Sequence, residues 1–591
     1  MDSNKAIMKK ILFLLIFLLN TALVYSQVGI GTTEPKGQLD VNSINMSLVV
    51  PRVTSIENVT DGQGNKAVAG SIVYDVSRNK ICYRIEGSWI CIGVNELGIP
   101  EIGTEDPFTS LSNYLKASNT GAGDQFGFSV SLSSDGTRLA VGAQLEDSNA
   151  TGIDGNQNDN SASNSGAVYV FVRNGDVWSQ EAYIKASNAQ EGDRFGVSVS
   201  ISGDGSRLAV GAYLEDSNTT GIDGNQADNS SSFAGAAYIF DRSGSTWSQG
   251  AYIKASNTDA GDQFGLSVSL SFDGSRLAVG AHLEDSEATT IDGDENNNNA
   301  DASGAVYLFN YDGDSEWSQW VYLKSGNSEA GDQFGNSLSL SADGLGLAVG
   351  AYLEDSNATD TDGNPWQQID NSASAAGAVY LFTYSIQLSQ WSSSKYIKSS
   401  NTEAGDRFGY SVSLSSDGSY LAVGAYFEDS NATGINGDQG DNSTNEASAV
   451  YIFDEESNFS QQAYLKASNT GAGDIFGSSV SLSSDGSRLS VGAFQEDSNA
   501  TGFNSDKTDN SASNAGVVYT YKRVDTLWSQ ESYIKATNTE ANDYFGTSIC
   551  LAGDGLSLAI GAYFEDSNAT GINGDQSNNS AGGSGAVYIV E

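Results

Sequence analysis

The sequence predicts an all-β protein, a seven-bladed β-propeller closed by an N-terminal outer strand and preceded by a small β-rich module. Three observations predict it. Gly123-Asp124-Gln125-Phe126-Gly127 returns seven times with small changes, its phenylalanine at Phe126, Phe195, Phe264, Phe334, Phe408, Phe476 and Phe545, and self-similarity at a fixed period marks a repeat architecture. Each period carries four strand-like segments in the same order. The last period stops after its third segment, while an orphan copy of the fourth precedes the first period.

The first period shows why each segment reads as a strand. Phe126, Phe128, Val130 and Leu132 alternate with Gly127, Ser129, Ser131 and Ser133, a period of two. Residues 139–143 (Leu-Ala-Val-Gly-Ala) and 167–171 (Ala-Val-Tyr-Val-Phe) are apolar on both faces, as inner strands covered on both sides are. The fourth segment mixes Trp178, Tyr183 and Ile184 with Gln180, Glu181 and Lys185, so one side is wet. Three inner strands followed by an outer one describe a propeller blade. Asp135-Gly136 between the first two strands is a hairpin signal, and Glu146-Asp147-Ser148 opens a long polar loop between the second and third. The orphan Tyr114-Leu115-Lys116-Ala117-Ser118 matches Tyr183-Ile184-Lys185-Ala186-Ser187 and completes the seventh blade. Such closure removes the exposed edges of an open array.

The recurring Gly-Asp-x-Phe-Gly, Asp-Gly, Gly-Ala, Gly-Ala-Val-Tyr and Trp-Ser-Gln pieces resemble the bacterial FG-GAP repeat family, related to the integrin alpha-like propeller, over residues 113–591. The resemblance implies the seven-bladed ring and an adhesive role. Two departures limit it. The proline of the family's Gly-Ala-Pro is replaced throughout, by Gln144, Tyr213, His282, Tyr352, Tyr426, Phe494 and Tyr563. Integrin-type repeats carry a calcium loop between the first two strands, whereas residues 133–137 are Ser-Ser-Asp-Gly-Thr and lack the necessary oxygens. The integrin metal site is therefore not carried over.

Residues 1–26 read as a signal peptide, with Lys9 and Lys10 before an apolar run at 11–19 and a cut expected at Gln27. The expected location is thus secreted or at the cell surface, with no direct membrane insertion after signal removal. Residues 27–98 form the small β-rich N-terminal module. Its Val28-Gly29-Ile30-Gly31-Thr32-Thr33 and Leu39-Asp40-Val41 resemble leader modules ahead of repeats in secreted bacterial surface and fibre-like proteins. With Glu86-Gly87 as a two-residue hairpin loop, Cys82 faces Cys91 at a distance a disulfide can bridge. Two readings stand there, a disulfide and a pair of buried thiols. Residues 99–112 read as a linker, residues 113–591 as the propeller, and Cys550 as an unpaired core residue.

The acidic residues outnumber the basic ones by 74 to 28, for a net charge of −46. Nucleic acid is excluded as a partner class, since its binding depends on neutralising phosphates with Lys and Arg, and so is an electrostatic hold on anionic lipid. The second-to-third-strand loops and the blade-to-blade connections share one end of a four-stranded meander, so one rim is expected to be strongly acidic. The long loops carry pairs of oxygen-bearing residues two apart: Asp154 and Asn156, Asp223 and Asn225, Asp292 and Asp294, Asp362 and Asn364, Asn436 and Asp438, Asn504 and Asp506, Asn573 and Asp575. Again two readings stand: weak Ca2+ sites, because hard cations want several oxygens on a flexible loop, or turn chemistry in which these side chains bond their own backbone. No other cofactor is expected. The lysines at Lys116, Lys185, Lys254, Lys324, Lys398, Lys466 and Lys535 read as protection of outer strands from edge pairing and the Glu-Asp acids as acceptors for backbone donors at a loop entrance, ahead of a reading in which the acids form a ring of ligands and the lysines are their counter-charges. Trp178, Trp247, Trp317, Trp391 and Trp528 read as packing rather than sugar platforms.

His282 is the only histidine, so no His-based triad and no zinc site is available. Near-identical blades argue against one differentiated active site. The expected function is a non-catalytic binding or adhesion module that offers an acidic rim to an extracellular protein or glycan. Two alternatives stay open: a carbohydrate-active enzyme with a carboxylate-based site on the propeller, and a structural component of a surface fibre.

Overall fold

In the computed structural model the described residues are 108 and 110–591, except 314–315 and 362–367, together with the backbone of short strands between 28 and 104. The expected signal peptide and the pair Asp362 and Asn364 lie outside them. The chain divides into two compact units, Met1–Asp106 and Pro107–Glu591. Among the described residues no helix is long and apolar enough to cross a membrane.

The first unit holds a five-stranded sheet in the order Arg52–Val53, Ile72–Asp75, Lys80–Ile85, Ser88–Val94 and Pro100–Thr104. The Glu86-Gly87 hairpin forms in the expected register, which makes Cys82 and Cys91 partners across the two strands. The linker expected over 99–112 is not a single loose segment. Pro100–Thr104 pairs with Ser88–Val94 as the last strand of this sheet, and Leu111–Leu115 already belongs to the propeller. Prolines at both ends suggested a linker, but a proline that opens an edge strand needs no ladder donor.

The second unit is the seven-bladed β-propeller. Its first blade runs Phe126–Leu132, Arg138–Ala143, Ala167–Asn174 and Val177–Ile184, an antiparallel meander from the axis outwards. The seventh combines Phe545–Leu551, Leu558–Ala562 and Ala586–Val590 with Leu111–Leu115, so Tyr588 pairs with Tyr114 and the ring closes as the orphan strand predicts. The core lies between blades. Val168, Val170 and Ile184 of the first blade pack with Phe195, Leu208, Val210 and Tyr238 of the second. At the closure Leu115, Val587 and Ile589 pack with Phe126, Val141 and Tyr169.

The Phe-Gly motif is where one blade locks onto the previous one. Phe195 N–H donates to Ser165 O at 3.0 Å, and Phe126 N–H to Ser584 O at 2.9 Å across the closure. Gly127 sits at φ +90°, and a Cβ there would come within 2.5 Å of Ala586 O. Both the conformation and the close approach require glycine.

The long loop covers the outer edge of its own blade. Ile153 bridges to Ile184, Ile222 to Ile253 and Ile435 to Leu465, and in the sixth blade Gly502–Phe503 pairs with the outer strand Leu527–Lys535 as a short fifth strand. Edge protection is therefore supplied by backbone, not by the lysines. At the opposite rim the turns donate head to tail around the axis: Phe272 N–H to Ala342 O, Ala342 to Ser416, Ser416 to Ser484 and Ser484 to Gly553, at 2.8–2.9 Å. These turns line a cavity at the hairpin end of the axis.

Candidate functional site

The described oxygen-bearing pairs singled out in the sequence lie on the loop rim, and each member is bonded to backbone. Asp154 adopts φ +53°, and its Oδ1 accepts the N–H of Tyr183 at 3.0 Å. Asp223 accepts Tyr252 N–H at 2.9 Å, Asp292 accepts Tyr322 at 3.0 Å, and the amides Asn436, Asn504 and Asn573 accept Tyr464, Tyr533 and Tyr114 at 2.9 Å each. Carboxylate and amide interchange because the position needs only a side-chain oxygen and tolerance of the left-handed conformation. The second members close Asx turns: Asn156 accepts Asn158 N–H, Asn225 accepts Ala227, Asp294 accepts Asn296, Asp438 accepts Gly440, Asp506 accepts Thr508 and Asp575 accepts Ser577. Among the described residues no three His, Cys, Asp or Glu side chains are grouped to hold a metal.

The lysines are not on the surface. Lys185 Nζ lies 2.9 Å from Glu146 Oε2 with side-chain exposures of 0% and 1%, and it also donates to Ser165 Oγ at 2.7 Å. Glu146 Oε1 accepts the Tyr183 hydroxyl at 2.9 Å and Asn119 Nδ2 at 2.8 Å, while its Oε2 accepts Ser148 N–H at 3.1 Å. Asp147 accepts Asn164 N–H at 2.8 Å, so the Glu-Asp pair does satisfy backbone donors as expected. The same Lys–Glu pair recurs in all seven blades, and across the ring closure it joins Lys116 to Glu565 at 2.9 Å. Burial pushes each lysine down and the facing glutamate opposes that. The edge-protection reading of the lysines is thereby corrected. The available signal was Tyr183, two residues earlier, because a period of two puts Lys185 on the same side as that aromatic ring.

Beside each network sits a second buried carboxyl from the Gly-Asp of the motif. Asp124 accepts Gly121 N–H at 2.8 Å. Burial raises it to about 7, with Glu146 and Asp147 adding to the rise and the Gly121 N–H opposing it. Its counterpart Asp193 is raised to about 8 for the same reasons. The tryptophans are packed, Trp178 being 3% exposed.

The blades differ at the loop-rim mouth of the channel. The residue after Gly-Ala, the residue before Phe-Gly and the residue after it vary from blade to blade, and the fold brings them together around the axis. Tyr352 packs edge-on to Tyr410 of the next blade, ring centres 5.6 Å apart, and Tyr410 lies 4.1 Å from Tyr426. Tyr563 stacks on Tyr544 at 5.5 Å and meets Phe128 of the first blade at 5.5 Å. The Arg407 guanidinium lies 4.2 Å from the centre of the Phe427 ring, and Arg194 donates to the Tyr213 hydroxyl at 2.9 Å. Gln144 donates to Gln125 at 3.0 Å. Gln144 Oε1 and His282 Nδ1, at equivalent positions of the first and third blades, are buried and have no hydrogen-bond partner among the described residues. The site thus combines partly open aromatic faces with arginine, amide and imidazole groups that have bonding capacity left.

The FG-GAP repeat model matches the chain seven times, over residues 110–171, 178–240, 247–309, 317–382, 391–453, 459–521 and 528–590. A model described as the phage tail like trimerisation region matches residues 29–108. Among solved structures, the hydrazine synthase of Kuenenia stuttgartiensis is similar at 12% identity and a TM-score of 0.39, over 76% of this chain and 94% of that one. No curated protein sequence matches.

Proposed function

The chain belongs to the FG-GAP repeat family, and from that premise we propose that it is a secreted or cell-surface binding module, non-catalytic, whose loop rim takes an extracellular protein or glycan at the axial mouth. The observation that carries this reading is the distribution of difference among the blades. Framework positions such as Lys185, Glu146 and Tyr183 repeat in every blade, whereas Gln144, Tyr213, His282, Tyr352, Tyr426, Phe494 and Tyr563 do not. These variable positions meet around one opening, and variation gathered at such a mouth supports a binding site there. Aromatic faces beside unsatisfied polar groups suit a ligand with both apolar and hydroxyl surfaces, as a glycan has.

Screening the mature chain against arrayed glycans and immobilised extracellular proteins tests this. A hit that is lost in Tyr426→Ala and Tyr563→Ala supports it; no hit in either class, or hits indifferent to both substitutions, contradicts it.

The match of residues 29–108 to a trimerisation region supports a second element of the reading, in which the module gathers three propellers. Three weak sites on one stem gain avidity without new contacts, and a surface fibre would be built in the same way. Light scattering on residues 27–591 and on 107–591 should give three chain masses for the first and one for the second; a monomer in both cases would remove this element.

A further inference from the structure

The turn glycine of each hairpin rests under the neighbouring blade in all junctions but one. A Cβ at Gly205 would meet Arg138, at Gly274 Arg207, at Gly344 Arg276, at Gly486 Tyr420, at Gly555 Arg488 and at Gly136 Ser557. At Gly418 it would meet nothing within 4 Å. The residue that should cover it is Gly346, standing where three preceding blades have arginine. The fourth and fifth blades are therefore separated at the hairpin rim by a cleft whose lining includes Gly346, Thr383, Gly418, Glu455 and Phe459.

The intact junctions show what such a cleft accommodates. Arg207 Nη1 donates to Gly274 O at 2.8 Å and Nε to Asp241 at 2.6 Å, and its guanidinium lies 4.0 Å from the centre of the Tyr311 ring and 5.2 Å from that of Trp317. Arg276 donates to the carbonyl of Asp343, one residue before the turn glycine Gly344. In the repeat register Gly274, Asp241, Tyr311 and Trp317 correspond to Gly418, Thr383, Glu455 and Phe459. The vacant junction keeps the carbonyl and one aromatic ring; Thr383 stands where Asp241 held the guanidinium, and Glu455 supplies a carboxylate where Tyr311 stood, with Asp343 and Asp417 beside it.

We infer that this cleft binds an arginine side chain presented by a protein partner, seated much as Arg207 is seated two junctions away. A planar guanidinium can stack on Phe459 while it donates to the Gly418 carbonyl and the Glu455 carboxylate together; a lysine ammonium cannot do all three. The acidic character of the whole chain favours approach of a basic segment. This site lies at the rim opposite the axial mouth and does not depend on what binds there.

The test is titration of the mature chain with N-acetyl-Gly-Arg-Gly-amide and its lysine counterpart, followed by NMR or calorimetry. The arginine peptide should bind about tenfold more tightly than the lysine peptide, in keeping with the loss of fork geometry and stacking. Gly346→Arg fills the cleft from within: a Cβ there meets nothing nearer than Ser341 Oγ at 3.2 Å, so the variant should fold and lose the peptide. Glu455→Gln, on an exposed residue, should weaken binding several-fold without affecting folding, and Tyr426→Ala should leave it unchanged. Equal affinity for the two peptides, unchanged affinity in Glu455→Gln, or binding that survives in a folded Gly346→Arg would overturn the proposal.

Discussion

Lys185 and Glu146 meet 2.9 Å apart with both side chains shut off from solvent, although 39 residues separate them in sequence. The pair ties the outer strand to the start of the long loop, and Tyr183 and Asn119 fill the remaining capacity of the carboxylate. Such a network is strong only when complete, because an uncompensated buried charge is costly. Lys185→Met and Glu146→Gln should each destabilise the propeller by about 3–5 kcal/mol, the range for breaking one side of a buried pair. The double variant should cost less than the sum of the two. Denaturant unfolding of all three checks this, and strict additivity would contradict the coupling.

The buried aspartates set a pH dependence of definite sign. Asp124 titrates near 7 and Asp193, Asp262, Asp332, Asp406 and Asp543 near 8 in the folded chain, against an ordinary value of about 4 when unfolded. Between those limits the native state holds more protons than the unfolded one, so stability falls as pH rises. His282, held down at about 4 by burial, works in the opposite direction below its ordinary range, but as one group against several. The unfolding midpoint should be several degrees higher at pH 5.5 than at pH 8. A midpoint that rises steadily from 5.5 to 8 would contradict these burials.

The loop pairs should behave as turns. Asp154→Asn keeps the oxygen that accepts Tyr183 N–H and should change stability by less than about 0.5 kcal/mol, whereas Asp154→Ala leaves that donor unpaired at a cost of about 1 kcal/mol. Millimolar calcium should raise the unfolding midpoint no more than magnesium at equal ionic strength, by relief of the chain's acidic self-repulsion. A calcium-specific rise reversed by chelator would instead make the loops metal sites.

Ring closure should depend on a strand far from its partners in sequence. Deleting residues 108–116 removes Leu111–Leu115 and the lysine that pairs with Glu565, and bares the edge of Ala586–Val590. The truncated chain should self-associate in sedimentation and lose much of its thermal stability. A monomer of unchanged stability would contradict closure by this strand.

The blades were legible because their signals are local. Alternation in residues 126–132, the apolar runs at 139–143 and 167–171, and the orphan Tyr114-Leu115-Lys116 each declare a strand without reference to anything distant. The Lys185–Glu146 pair was not legible in the same way. A lone lysine on an outer strand defaults to solvent, and only the fold-back of the long loop along Ile184 closes it in. Asp154 and its counterparts were recognised as a set, with metal and turn readings both open until the Tyr183 N–H was seen to be their partner. The axial mouth was visible only as scattered departures at Tyr352, Tyr426 and Tyr563; their meeting is a product of blade register, which spacing alone does not convey. The strand Pro100–Thr104 was hidden by its proline.

The most direct test of the axial mouth as the binding site is to block it. Phe564, 37% exposed at the mouth, and Val177, 68% exposed on a hairpin of the other rim, can each be replaced by cysteine in a background where Cys82, Cys91 and Cys550 are replaced by serine or alanine, and coupled to a bulky maleimide polymer. Binding to the glycan or protein hit from the arrays should disappear with the polymer at residue 564 and persist with it at residue 177. Binding that persists at 564, or disappears only at 177, would place the ligand elsewhere on the ring.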